Sequence, residues 1–245
     1  MNGKKLLALG LGIILGINGL TSGDRTLAQN YSNTKKIRYV PPTRPGDRGT
    51  ISGKNAAGSR GCQQRQTSEL PLLALGGNPG YTQTLRDYPT VWFYIPYSSR
   101  EVKEAVFEVQ YEEETEQHQR GETFERTVIS LPSAPSIVPV KLSKAIPLGV
   151  NLRWYLVIAC ESGNELPITG MLKRIVPSPE LTRELEGARN QLEQVEVYAR
   201  YGIWYDALTG LATAYHNQPN LAITWSEFLL GVGLESLAQV PLNFD

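Results

Sequence analysis

Apolar residues recur at every second position through much of the segment from Cys62 to Val176, which is the repeat of half-buried strands. Thr90 to Ile95, TVWFYI, is an aromatic strand-forming run closed by Pro96. From Val102 to Tyr111, Ala105, Phe107, Val109 and Tyr111 fall on one side, with Glu104, Glu108 and Gln110 opposite. The acidic stretch EEETEQHQRGE follows, and alternation resumes from Thr123 to Leu131, predicting a hairpin with a long solvated tip. Ile137 to Leu142 adds a short strand, and Pro167 to Val176 a last one. Arg153 to Cys160, RWYLVIAC, alternates most cleanly: Trp154, Leu156, Ile158 and Cys160 share a face. About seven short strands with turns between them predict an antiparallel β-sandwich of immunoglobulin or fibronectin type over 62–177.

After Pro177 the period lengthens. Ser178 before Pro179 fits a helix start, and Leu181, Leu185, Leu192, Val195 and Tyr198 mark one face of a single helix to about Arg200. Gly202 interrupts it. A second helix is expected from Ile203 to His216, ended by Pro219-Asn220, and a third from Leu221 to Leu230 before Gly231 and Gly233. The expected class is therefore α+β, with a helical segment over 178–245. In this segment Gly202, Trp204, Ala207, Leu208, Ala214 and Pro219 stand at intervals that resemble the second helix of a tetratricopeptide-type unit. Trp225 and Phe228 then fall where a following unit would begin. Ala207 and Ala214 offer a flat surface for close helix approach, and Trp225 and Phe228 share a face that docks on it. The resemblance implies an interaction role for Trp204, Ala207, Ala214, Trp225 and Phe228. One and a half units do not stack alone, so these helices are expected to pack on the sandwich or on a partner.

Lys4 and Lys5 precede an apolar run, Leu6 to Leu20, and Thr26-Leu27-Ala28 offers the small residues of a cleavage site. Residues 1–28 therefore read as a signal peptide cleaved after Ala28, with retention as an anchor the alternative. Export gives Cys62 and Cys160, the only cysteines, the expectation of a disulfide. The formal net charge of zero hides an asymmetry. Residues 29–61 carry seven Lys or Arg against Asp47 alone, whereas from Cys62 onward 14 basic residues face 22 acidic ones. With Pro41, Pro42 and Pro45, this stretch reads as an unpacked basic linker. It is expected to be solvated and loosely associated with the acidic body, with contact to anionic envelope polymer or lipid headgroups the alternative, and no nucleic-acid partner is expected.

Catalytic signatures are absent from the sequence: no G-x-S-x-G, HExxH, phosphate loop or dinucleotide fingerprint occurs. His118 lies in the hairpin tip and His216 near a helix end, both read as exposed. Glu112, Glu113, Glu114 and Glu116 lack the spacing of a calcium loop, and LGGNPG from Leu75 reads as a turn. No metal or cofactor is expected. Trp92, Trp154, Trp204 and Trp225 are expected in the core, with tyrosines at its rim. RGC at Arg60–Cys62, PTVWFYIPY at Pro89–Tyr97, RWYLVIAC and GIWYDALTGLA at Gly202–Ala212 together resemble a cyanobacterial family defined as domain of unknown function number 928. The resemblance implies a secreted envelope protein and brings no reaction, ligand or catalytic residue. The leading expectation is a non-catalytic module that presents its helices to an envelope protein. The rival is a carbohydrate-binding module using exposed aromatics, and an enzyme built on unpaired acids is the weakest reading.

Overall fold

A computed structural model describes residues 36–42, 62, 70–76 and 82–244, all within one compact unit, Lys36–Asp245. The expected signal peptide and most of the expected linker lie outside the described residues. Among the described residues eight strands form two sheets. The smaller takes β1 (Leu73–Ala74), β3 (Thr90–Ile95) and β6 (Ser136–Lys141) in the order β1-β3-β6. The larger takes β2 (Gln83–Thr84), β8 (Glu165–Arg174), β7 (Asn151–Cys160), β4 (Val102–Tyr111) and β5 (Thr123–Val128) in the order β2-β8-β7-β4-β5. Phe93 of β3 meets Phe107 of β4 and Trp154 of β7 edge-on, with ring centroids 5.8 and 5.3 Å apart, so the sheets face one another. Along β7 every second residue is buried, Leu152 through Cys160, as the alternation requires. In β4 the register shifts between Val102 and Glu104, and this irregularity buries Val102 on the same side as Ala105.

One pair departs from the expected all-antiparallel arrangement: β2 runs parallel to β8. Lys173 N–H donates to Thr82 O at 2.8 Å and Ile175 N–H to Thr84 O at 3.0 Å. A strand of two residues has no hydrophobic period, so neither its existence nor its direction was written in the pattern.

The helical segment has four helices where the periodicity predicts three: α1 (Pro179–Gly187), α2 (Gln191–Arg200), α3 (Trp204–Asn217) and α4 (Ala222–Leu230). Ser178 caps α1 by accepting from Leu181 N–H, and Asn190 caps α2 by accepting from Glu193 N–H. Between them Ala188 is extended and ends the first helix. Leu185 and Leu192 stand seven apart, two helical turns, so the break preserves the phase of the stripe and hides itself.

The helices are not an appendage. Val195, Ala199, Trp204, Tyr205, Leu208, Leu211 and Phe228 belong to the same continuous core as Trp92, Phe107 and Trp154 of the sheets. Three indole N–H groups tie α3 down. Trp92 Nε1 donates to Thr209 Oγ1 at 3.0 Å, Trp154 Nε1 to the Tyr205 hydroxyl at 2.9 Å, and Trp204 Nε1 to Leu75 O at 3.1 Å. Gly76 is required by that last contact: its φ is +120°, and a Cβ there would fall inside the Trp204 indole.

The expectation of an unpacked linker over 29–61 fails for residues 36–42. Ile37 and Tyr39 are buried, Val40 N–H donates to Ala199 O at 2.9 Å, and the Tyr39 hydroxyl donates to Gly202 O at 3.1 Å. The Tyr39 ring meets Trp204 edge-on at 4.9 Å. Two apolar side chains on alternate positions outweigh the basic and proline-rich composition around them.

Candidate binding cleft

The residues singled out in the helical segment are core. Trp204, Ala207, Ala214, Trp225 and Phe228 are all buried. Phe228 stacks on Trp204 with ring centroids 5.5 Å apart, and Trp225 stacks on Tyr215 at 5.7 Å. Val195 of α2 packs onto α3 at Gly210, where an added Cβ would lie 2.6 Å from Val195 Cγ2. Sequence reasoning missed this glycine because Ala207 and Ala214 drew the argument. Among the described residues, Ile223 and Leu230 are the exposed large apolar side chains on the four helices. Cys62 and Cys160 form a disulfide with Cα atoms 5.0 Å apart. It lies where Cys160 pairs with Val102, and the buried Tyr97 hydroxyl bonds to the Cys62 backbone.

The acidic hairpin tip is occupied by its own contacts. Glu112 makes a two-pronged ion pair with Arg153 at 2.6 and 2.7 Å, which holds its carboxyl below the usual range. Glu113 accepts from Asn151 Nδ2 at 2.6 Å. His118 is half-buried rather than exposed, stacked on Tyr111 at 3.9 Å and 3.2 Å from Glu122. His216 is exposed beside Phe244. Among the described residues no group of three His, Cys, Asp or Glu could hold a metal.

What the sequence did not reveal is a cleft of about 830 Å³ between α3, the β3–β6 edge and the end of β8. Arg86, Lys141 and Arg174 line it, and among the described residues Asp87 is the one acid on its wall. Arg86 reaches back 3.5 Å to Asp206 of α3, which is buried. Asp206 accepts from the Thr84 hydroxyl at 2.7 Å and from Leu85 N–H at 2.8 Å, so it anchors the Leu85–Tyr88 turn that forms one wall. Burial pushes its carboxyl above the ordinary range, against the pull of the Leu85 N–H, Thr84 and Arg86. Arg174 pairs with Asp87 and donates weakly to Ile146 O at 3.4 Å. Its Nε is buried without a hydrogen-bond partner among the described residues. Lys141 stands exposed at the end of β6.

The aromatic content of the wall is equally specific. Tyr88 and Phe244, 46 % and 37 % exposed, are the exposed aromatic side chains among the described residues, and both line this cleft. Phe244 is placed by the C-terminal strap: Ile137 N–H donates to Pro241 O at 2.9 Å, and Asn243 N–H to Ile137 O at 2.8 Å. Its ring then meets Trp92 edge-on at 5.4 Å. Thr209 and Thr213 add hydroxyls from α3. These residues come from five separate stretches of chain, so no local motif marks them.

The family model described as Domain of Unknown Function (DUF928) matches residues 55–242. This chain belongs to that family. No curated protein matches it. The solved structure of T. fusca AA10A is 13 % identical, covering 40 % of this chain and 53 % of its own length, with a TM-score of 0.29. This chain thus spans about half of that structure, and so loose a likeness carries no argument about function. Among the described residues, no helix of this DUF928 member is long and apolar enough to cross a membrane.

Proposed function

We propose that this protein is an exported, non-catalytic binding module of the cell envelope, and that the cleft beside α3 is where it binds. The observation that carries the reading is the convergence of Arg86, Lys141 and Arg174 with the exposed rings Tyr88 and Phe244 in one concave site. Each carboxylate there is already engaged: Asp206 by Thr84, Leu85 and Arg86, and Asp87 by Arg174. Among the described residues that leaves no free pair of acids in the cleft as proton donor and acceptor, which supports binding over catalysis. The disulfide supports an oxidising compartment.

The binding role expected of the helices passes to the cleft, because Trp204, Ala207, Ala214, Trp225 and Phe228 are buried in the fold and only Ile223 and Leu230 remain exposed as large apolar side chains among the described helical residues. An exposed aromatic row on a sheet face has no support, since Trp92 and Trp154 are buried. The test is to incubate the oxidised protein with soluble envelope extract and analyse both the retained material and the supernatant. Retention with no chemical change in the retained polymer is expected. Turnover, or retention unaltered by Lys141→Ala, speaks against the reading.

A further inference from the structure

We propose that the cleft recognises an acidic saccharide, a sugar bearing a carboxylate or sulfate group; the inference rests on the cleft being the binding site. A sugar ring offers an apolar C–H face and a rim of hydroxyls, and an acidic sugar adds one localised negative charge. The cleft supplies a counterpart to each. Tyr88 and Phe244 line the wall partly exposed, Phe244 resting on Trp92 and His216, and so offer it aromatic surface. Thr209 Oγ1 accepts from Trp92 Nε1, which leaves its own proton to donate, and Thr213 lies one turn further along α3. Lys141 has no carboxylate partner among the described residues, and Arg86 is more than half exposed beyond its contact with Asp206. Arg86 is paired with Asp206 and Arg174 with Asp87, so Lys141 supplies the net positive charge of the described wall that favours an acidic group.

A bare anion seat needs no aromatic rings, and a neutral sugar site needs no cations; the two together select the acidic sugar. The backbone around the site is fixed. Asp206 pins the turn that carries Arg86 and Tyr88, and the C-terminal strap pins Phe244. The ligand therefore meets a formed surface rather than one it must order.

The experiment titrates the full oxidised chain by calorimetry with a linear trigalacturonate. Maltotriose, inorganic sulfate and a hexapeptide of glutamates serve as comparisons. Trigalacturonate is expected to bind, with affinity falling steeply as salt rises. Lys141→Ala and Tyr88→Ala, both at exposed side chains, are each expected to weaken it about tenfold while the circular dichroism spectrum is unchanged. Equal binding of maltotriose, of sulfate or of the glutamate peptide overturns the acidic-saccharide assignment. So does absence of trigalacturonate binding, or binding that neither variant alters. Mass analysis of the trisaccharide afterwards separates the two levels: shortened products overturn the non-catalytic reading and leave the ligand class standing.

Discussion

Tyr205 and Asp206 are neighbours on α3, yet burial has opposite consequences for them. The Tyr205 hydroxyl accepts from Trp154 Nε1 and donates to Met171 O at 2.7 Å, so one phenol satisfies both a strand indole and a strand carbonyl. Burial pushes its ionisation up, which keeps it a neutral donor. Tyr205→Phe leaves both partners without it and is expected to cost about 1–3 kcal/mol, read as a lower urea midpoint. Asp206 is a buried acid whose charged form suffers from desolvation. Its folded pKa lies above the ordinary 3.8, so the folded state holds this proton more tightly than the unfolded chain does. Its contribution to stability is therefore most favourable at low pH and declines as pH rises from 3.8 through the raised folded value. Asp206→Asn removes that titration. The stability of the variant relative to the parent should rise across this window in urea melts taken at successive pH values. A difference that stays flat with pH would show that Asp206 titrates normally.

At the scale of elements, long half-buried strands were legible and short or borrowed ones were not. β3 and β4 have the ends that their alternation predicts, and β7 gains two residues at its start. The β2 strand and the 36–42 segment were invisible because each is held by partners far along the chain: β8 for one, Ala199 and Gly202 for the other. The α1–α2 break was hidden by a spacing of two turns. The disulfide was legible, since Cys160 lies on the inward face of β7 and Cys62 is the one other thiol. It closes a sequence separation of 98 residues, joining the start of the fold to the β4–β7 pair. Replacing both cysteines by serine is expected to cost about 2–5 kcal/mol, measured by chemical denaturation against the oxidised parent. Adding reductant to the parent should reproduce the loss, and a parent insensitive to reductant would deny the bond a stabilising role.

At the scale of the whole molecule, the sequence boundary at Pro177 marks a change of period and not a boundary of stability. Hydrophobic period reports which face of an element is buried, but it is silent on what that face is buried against. The cleft was illegible for the same reason: Arg86, Lys141, Arg174, Thr209 and Phe244 belong to no common motif, and only the packing of α3 on both sheets assembles them. If the helices were only cargo, the sheets would stay folded without them. Yet α3 inserts Trp204, Tyr205, Leu208 and Leu211 into the core that contains Trp92 and Trp154, and it satisfies the indole N–H of both tryptophans. Removing it would expose those rings to water, with the loss of their apolar burial at roughly 25 cal/mol per Å² and of two indole hydrogen bonds at about 0.5–1.5 kcal/mol each. A typical domain has only about 5–15 kcal/mol of net stability to lose. A chain ended after residue 177 is therefore expected to lose its near-ultraviolet dichroism and to show no cooperative urea transition, even with Cys62 and Cys160 oxidised. Recovery of a cooperative transition in that fragment would mean that the sheets fold without the helices, and that the shared core is a docking contact between two independent parts.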